Sequence, residues 1–340
     1  MTTNRDSLLD FLRAIIMIHI ICIVHVLYWL RIGNQFFQSI ILFEMPVIFF
    51  IAGASQKLVN KNRTFKQILI NRAKRDLLPY YIFIPLLYIW MLLLTYILPY
   101  RGIDTSPFRA ITLSDIIKTL FIGGSNKIPY YGYTWFIPVY FLLSISLPLQ
   151  KKILCYIKPY CYLAILGGII FIFSYINLPN YTINNYVKSI IVYNIFYICG
   201  YLLYQQVSNR LLWCYAIISI LIVIIGFYTK IMIPMQDHKF PADYLFMFFG
   251  MAWITTMSII FKYIPLYKIK ECKLIKIWNR MGYQLYLIQS ISYCFVIMCT
   301  YQWINHVTSE GIKFLIYFTF CFVLNTILGQ IMLSISQKIK

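Results

Sequence analysis

The chain has 340 residues, of which 61% are hydrophobic, 19% aromatic and only 12% charged. Soluble domains usually carry about 25% charged residues, so this composition excludes a water-facing globular surface and indicates an integral membrane protein. The net charge of +20 would suggest a nucleic-acid partner in a soluble protein. Here the basic residues lie in short loops between apolar runs. Membrane lipid is therefore the expected partner, and nucleic acid is not.

The nine cysteines are scattered, mostly within apolar runs, and form no C-x-x-C pair. Such spacing predicts neither a disulfide framework nor a zinc site, so no metal is expected. At the N-terminus, Arg5 and Arg13 precede a long apolar run that ends without an A-x-A-like cleavage site. This pattern predicts an uncleaved first helix rather than a signal peptide.

The apolar runs predict an all-α fold, a polytopic bundle of transmembrane helices in a single domain, 1–340, with no appended soluble domain. A helix needs about 20 predominantly apolar residues to cross the hydrocarbon core of a membrane. Ten runs meet this requirement, in chain order 14–31, 39–56, 77–99, 134–150, 160–178, 189–206, 212–230, 243–264, 281–302 and 312–335. The long connection 100–133 contains an amphipathic stretch, 112–120, that is expected to lie on the outer surface.

The distribution of basic residues predicts the orientation of the bundle. The N-terminus, the C-terminus and the loops after the even-numbered spans together hold 21 of the 30 Lys and Arg residues. Two of these loops, 57–75 and 262–280, carry most of the excess. Cytoplasmic loops are enriched in Lys and Arg, so both termini are predicted to be cytoplasmic.

A few ionisable residues fall inside the predicted spans, where a charge costs about 2.5–3.5 kcal/mol at the helix centre. The first span has Arg13 at its cytoplasmic end, followed by His19 and His25, and the second has Glu44. Arg13 is interpreted either as an anchor at the interface or as a binding residue. An imidazole is inexpensive to hold in lipid and takes a proton near neutral pH, so at least one histidine is predicted to be functional. Glu44 is expected either to pair with a histidine or an arginine, or to be protonated and hydrogen-bonded.

Arg72 and Arg75 lie three residues apart, on one face if the segment is helical. Two adjacent guanidinium groups at the cytoplasmic edge can bind phosphate oxygens bidentately. The alternative is that both residues serve only as positive charge in a cytoplasmic loop.

Three early segments carry a resemblance to a known family. Asp10-Phe-Leu-Arg13-Ala resembles a D-x-L-R-A opening, and 43–53 resembles an F-x-M-P-x-F-F-F-x-S-G signature. Arg72-Ala-Lys-Arg75, followed by Leu77-Leu-Pro-Tyr80, matches R-x-x-R and L-x-P-Y elements. The chain thus resembles acyltransferase family 3, the multi-span O-acyltransferases that modify bacterial surface glycans.

Two later segments, 135–138 and 281–289, are similar to the W-F-L-x and G-x-x-S-x-x-I-Y-L-x-H stretches of the family. Two departures stand out. Eleven residues separate Arg13 from His25, whereas the family usually has ten between its arginine and its essential histidine. One extra residue rotates a side chain by about 100°, so either a π-bulge takes up the insertion or His19 is the working base. Gln289 replaces the late histidine, which suggests that this position supports the chemistry rather than drives it.

The resemblance implies an acyl-CoA donor, usually acetyl-CoA, on the cytoplasmic side of a bacterial plasma membrane, and a glycan or lipid-linked sugar as acceptor. It implies that Arg13, Arg72 and Arg75 hold the phosphates, that His25 or His19 acts on the acyl group or the hydroxyl, and that Glu44 assists. A transporter or flippase for a lipid-linked sugar is the alternative from another class, since it would need the same bundle and the same buried polar residues. A sensor that has lost catalysis is the third.

Overall fold

A computed structural model describes residues 6–58, 64–97, 112–123, 132–204, 209–260 and 272–338. Each named element in these ranges is a helix, which confirms the predicted all-α class. The α-helices are α1 Ser7–Ile18, α2 His25–Trp29, α3 Gln35–Ile40, α4 Glu44–Leu58, α5 Phe65–Arg72, α6 Leu78–Ile97, α7 Leu113–Ile122, α8 Phe136–Leu154, α9 Pro159–Tyr175, α10 Tyr181–Leu203, α11 Asn209–Tyr228, α12 Met235–Lys239, α13 Tyr244–Ile260, α14 Lys273–Ile304 and α15 Glu310–Lys338.

Each of the ten predicted spans coincides with helical structure among these residues. Six helical stretches are long and apolar enough to cross a membrane, namely Ser7–Trp29, Gln35–Leu58, Gly132–Leu154, Thr182–Leu203, Lys273–Thr300 and Glu310–Ile335. Three predicted spans correspond to shorter apolar helices, Pro159–Tyr175, Leu212–Tyr228 and Tyr244–Ile260. The predicted span 77–99 corresponds to α6, which is 20 residues long and contains Pro85. Parts of the two basic loops, 59–63 and 262–271, lie outside the described residues.

The first helix starts earlier than the hydropathy pattern predicts. It begins at Ser7 rather than near residue 14, because the Asp6 side chain accepts hydrogen bonds from the backbone N–H groups of Leu8 and Leu9 and so caps the helix. A π-helix, His19–Val24, then separates α1 from α2. A second π-helix, Ala73–Leu77, joins α5 to α6. A π-turn takes up one additional residue, and such turns occur frequently at functional sites.

The contacts divide the chain into two compact units. Unit 1 comprises Met1–Ile20, Gly33–Asn62 and Ser146–Asn279, and unit 2 comprises Ile21–Ile32, Arg63–Ile145 and Arg280–Lys340.

Within unit 1, α4 and α10 approach each other closely at two glycines. A Cβ atom on Gly53 would lie 1.8 Å from the carbonyl oxygen of Tyr197, and one on Gly200 would lie 1.9 Å from that of Phe50. Neither position has room for a side chain, so the two glycines allow backbone to pack on backbone. Small residues are the usual means of such close approach between membrane helices. Gly53 is the final residue of the 43–53 segment, so the packing gives that glycine a physical role.

The connection between α11 and α13 contains the Pro and polar residues typical of a loop, yet several of its side chains are buried within unit 1. Met232, Met235, Lys239 and Ala242 are all buried, and α12 forms within the connection. The backbone N–H of Met235 donates to the Ser39 hydroxyl at 3.0 Å. Buried apolar side chains and this hydrogen bond outweigh the local turn signals.

Candidate active site

Two arginines of unit 2, Arg72 at the end of α5 and Arg75 in the π-helix Ala73–Leu77, flank one buried carboxylate. Arg72 Nη1 lies 3.3 Å from Asp76 Oδ2, and Arg75 Nε lies 2.9 Å from Asp76 Oδ1. Both guanidinium groups also lie 3.4 Å from the Tyr140 hydroxyl. The backbone carbonyl of Asp76 accepts a hydrogen bond from the Tyr283 hydroxyl. The three charged groups sum to one net positive charge, with the carboxylate bound between the two cations.

The two arginines differ in exposure. The Arg72 side chain is 7% exposed, whereas that of Arg75 is 62% exposed. Arg72 is therefore an internal counterion of Asp76, and Arg75 presents most of its guanidinium group to the surroundings. The structure brings together Arg72 and Arg75, two of the three predicted phosphate-binding residues. It adds Asp76 and Tyr140 to them, neither of which the sequence had singled out for this role.

His25, at the start of α2 in unit 2, forms a hydrogen bond with Gln289 of α14. His25 Nδ1 lies 2.6 Å from Gln289 Oε1. An amide oxygen only accepts, so with Oε1 toward the ring Nδ1 carries a proton, and in the neutral ring Nε2 carries the lone pair. This tautomer is the one that can take a proton from a hydroxyl at Nε2.

Aromatic rings surround the His25 imidazole within unit 2. Trp29 stacks on it with ring centroids 4.2 Å apart and planes 8° from parallel, and Tyr133 lies 5.8 Å away. The Tyr133 hydroxyl donates to the Leu287 carbonyl at 2.6 Å, and the Tyr286 hydroxyl donates to the Tyr133 carbonyl at 2.6 Å. Packing and backbone hydrogen bonds therefore fix the rings that hold the imidazole.

His19, in unit 1, has a different environment. Its Nε2 donates to the Ile41 carbonyl at 2.8 Å, because a carbonyl oxygen can only accept. The ring stacks on Phe43 at 4.3 Å, and Phe43 in turn stacks on Trp253 at 4.1 Å. Both contacts fix the ring in the packed interior of unit 1.

Glu44 is buried in unit 1 and pairs with Lys239 of α12. The side chains are 2% and 8% exposed, and Lys239 Nζ donates to Glu44 Oε1. The sequence predicted either a histidine or arginine partner or a protonated, hydrogen-bonded carboxyl group, and the structure shows a lysine as the partner. The sequence did not identify Lys239 as a buried residue, because the connection that carries it has the Pro and polar residues typical of a loop. The one available signal was an isolated lysine between Pro234 and Pro241.

Arg13 lies in unit 1, where Nη1 binds Asp10 Oδ1 at 2.8 Å and Nη2 donates to the Ser55 hydroxyl at 2.5 Å. Its side chain is 37% exposed. Ser55 follows Gly53 by two residues on α4, so Arg13 joins the first helix to the segment that contains the close glycine packing.

Comparison with known proteins indicates the class of reaction that the protein catalyses. The family model described as an acyltransferase domain matches residues 6–333, nearly the whole chain. The chain belongs to acyltransferase family 3. No curated protein and no solved structure matches it. Membership of the acyltransferase family confirms the resemblance drawn from the sequence motifs and identifies the protein as a membrane acyltransferase.

For a member of acyltransferase family 3, the described contacts provide two kinds of chemistry within unit 2. The His25–Gln289 pair offers a base in a defined tautomer, and the exposed guanidinium of Arg75 offers a site for an anion. The π-helix before His25 matches the alternative in which a bulge takes up the extra residue after Arg13.

Proposed function

We propose that the protein is a multi-span O-acyltransferase that moves an acyl group, acetyl in the simplest case, from acyl-CoA to a hydroxyl of a cell-surface or lipid-linked glycan. The main support is the 2.6 Å contact between His25 Nδ1 and Gln289 Oε1, because it places a proton on Nδ1 and leaves Nε2 of the neutral ring with the lone pair. A glycan hydroxyl and a thioester are the reactants that the family resemblance implies.

In the proposed reaction, the acceptor hydroxyl gives its proton to His25 Nε2 while its oxygen bonds to the thioester carbon. The carbon–sulfur bond then breaks, and the sulfur takes the proton from the imidazolium. The products are an acylated glycan and free CoA thiol. A thioester is already activated, so the protein must mainly orient the reactants and move this proton.

Arg75 is assigned to the phosphate groups of acyl-CoA, with Arg72 in a supporting role. The support is that Arg75 is mostly exposed while Arg72 is buried against Asp76. Asp76 accepts from Nε of Arg75 and the Tyr140 hydroxyl lies 3.4 Å from one Nη atom, which leaves the other Nη atom for a phosphate oxygen. Arg13, at 37% exposed, stays a predicted phosphate ligand.

His19 and Glu44 receive no direct step in this proposal. His19 Nε2 donates a hydrogen bond to the Ile41 carbonyl, and the Glu44 carboxylate accepts one from Lys239. Their assignment as catalytic residues therefore stays a prediction, which single substitutions test.

For the membrane arrangement, we propose ten spans with both termini in the cytoplasm of a bacterial plasma membrane. The support is the excess of Lys and Arg at the termini and in the loops after the even-numbered spans. In this orientation Arg72 and Arg75 lie on the cytoplasmic side of the membrane, where acyl-CoA is made.

The test is transfer of labelled acetyl from acetyl-CoA. Purified protein in lipid nanodiscs is incubated with radiolabelled acetyl-CoA and glycan extracted from cells that lack the protein. Label on the glycan, together with a mass increase of one acetyl group, supports the proposal. Absence of label with folded wild-type protein would contradict it and would favour a transporter of lipid-linked sugar.

A further inference from the structure

Gln289 and Tyr293 lie four residues apart on α14, so they project from one face of that helix. Gln289 is 0% exposed and its Oε1 binds His25 Nδ1. Tyr293 is also 0% exposed, and its hydroxyl donates to the backbone carbonyl of Ile21. A single helix face therefore contacts both the candidate base and the backbone just before it.

Ile21 lies within the π-helix His19–Val24, the segment that takes up the extra residue before His25. In such a turn the backbone hydrogen bonds span five residues instead of four. Inside a membrane, irregular helical backbone is tolerated where neighbouring helices satisfy the polar groups that are released. The Tyr293 hydroxyl provides a donor of this kind from a neighbouring helix.

The register of His25 depends on this π-helix. If the segment were a regular α-helix, the extra residue would turn His25 by about 100° about the helix axis. The Nδ1 atom of the imidazole would then leave Gln289 Oε1, from which it now lies 2.6 Å away. Trp29 would turn together with His25, because both belong to α2.

We propose that Gln289 and Tyr293 together act as positioning residues for His25, Tyr293 by holding the π-helical register and Gln289 by fixing the ring and its tautomer. This inference rests on the proposed acyl transfer and adds two residues to it. Trp29 lies between His25 and Tyr293. Its indole stacks on the His25 imidazole, and its ring centroid lies 4.7 Å from that of Tyr293.

The test compares kcat, KM for acetyl-CoA and the pH–rate profile among four variants. Tyr293→Phe removes the hydroxyl and should lower kcat roughly fivefold to tenfold, the factor for one buried hydrogen bond, with KM unchanged. Gln289→Leu should lower kcat at least as much. Gln289→Glu should move the acidic limb of the pH–rate profile to higher pH, because a carboxylate beside the ring favours the imidazolium. The matched control is Tyr162→Phe, which removes a buried hydroxyl that binds Gln150 at 3.1 Å in unit 1, and its kcat should match wild type.

Combining Tyr293→Phe with Gln289→Leu should cost little more than the worse single change, because both act through the same imidazole. Deleting Ile23 restores the usual family spacing without the π-turn, and in that background Tyr293→Phe should have no effect on kcat. If Tyr293→Phe behaves like Tyr162→Phe while wild type transfers acetyl, the inference is overturned and the proposed function stands. If wild type transfers none, the proposed function itself fails.

Discussion

Lys239 donates a hydrogen bond to the carboxylate of Glu44, and the two side chains meet inside unit 1 although 195 positions separate them in the chain. Both side chains are less than one-tenth exposed. Taking a single charge out of water is expensive, so each member of the pair makes the burial of the other tolerable. The pair also fixes α12 against the start of α4.

Replacing only one member of this pair should destabilise the protein strongly. Lys239→Met leaves Glu44 as an uncompensated buried charge and should lower the free energy of unfolding by about 3–5 kcal/mol. The double variant Glu44→Leu/Lys239→Met removes both charges and should recover most of that loss. Denaturant unfolding in detergent micelles measures both. The pair would not be coupled if the double variant lost as much free energy of unfolding as the two single variants, Glu44→Leu and Lys239→Met, lose together.

Arg75→Ala should weaken acyl-CoA binding without affecting the fold. Its exposed guanidinium is the proposed phosphate contact, so KM for acetyl-CoA should rise roughly tenfold, as expected for the loss of one charge-assisted interaction. The KM for an acetyl thioester that lacks the nucleotide phosphates should stay the same. Lys74→Ala, an exposed neighbour in the same π-helix, is the matched control. An equal rise in KM for both variants would reduce the role of Arg75 to general positive charge.

His25→Ala should lower kcat by about 10²- to 10⁴-fold, the range for loss of a general base. His19→Ala should lower it less than about tenfold, because the His19 ring is held by the Ile41 carbonyl and by Phe43. Acetyl transfer by the purified variants, checked for folding by size-exclusion chromatography, distinguishes the two histidines. The reverse order of effects would make His19 the base.

The connection that carries Lys239 should respond to pH through His238. Its Nδ1 lies 2.6 Å from Asp243 Oδ2 and its Nε2 lies 2.6 Å from the Ile231 carbonyl. Both partners only accept, so both ring nitrogens donate and the ring is an imidazolium. The hydrogen bond with Asp243 raises the pKa of His238 above 6.5, with further support from the charge of Asp243, the Ile231 carbonyl and Asp237.

The sign of the effect follows from the raised pKa. The His238–Asp243 pair stabilises the folded protein fully at pH values below about 6.5, the pKa of histidine in the unfolded chain. This stabilisation is lost as the pH rises through the higher pKa of His238 in the folded protein. Asp243→Asn should abolish this dependence and keep α13 capped, because the Asp243 Oδ1 that accepts from the Phe246 N–H has an equivalent in Asn. Thermal unfolding between pH 6 and 9 is the measurement, with wild type expected to lose on the order of 1 kcal/mol that the variant does not lose. Parallel curves for the two proteins would show that the pair does not titrate in this range.

Gly200→Ala should destabilise the packing of α4 on α10. The added methyl would lie 1.9 Å from the Phe50 carbonyl oxygen, so the helices must separate, at a cost of about 1–3 kcal/mol or more. Gly168→Ala in α9 is the matched control, because a Cβ there meets nothing within 4 Å. That change should be neutral or stabilising by up to about 1 kcal/mol, since Ala favours helix over Gly. Equal melting temperatures for the two variants would contradict the close approach.

The sequence by itself determined the class of the protein, the helices and the family. Long apolar runs such as 312–335 predict helices without reference to the rest of the chain, because a span is defined by its own length and hydropathy. The spacing between Arg13 and His25 offered a π-bulge as one of two alternatives, the other being His19 as the base, and the structure has a π-helix at His19–Val24. Local patterns carry this information, so sequence reasoning could reach it.

Only the tertiary structure decided which polar groups meet. Glu44 with Lys239, Arg72 with Tyr140 and His25 with Gln289 are pairs far apart in the chain. Hydropathy identifies residues such as Glu44 and His25 as costly to bury but does not identify their partners. The partner depends on how helices pack, and that packing is set by contacts such as the one between α4 and α10 at Gly53, which no single segment contains.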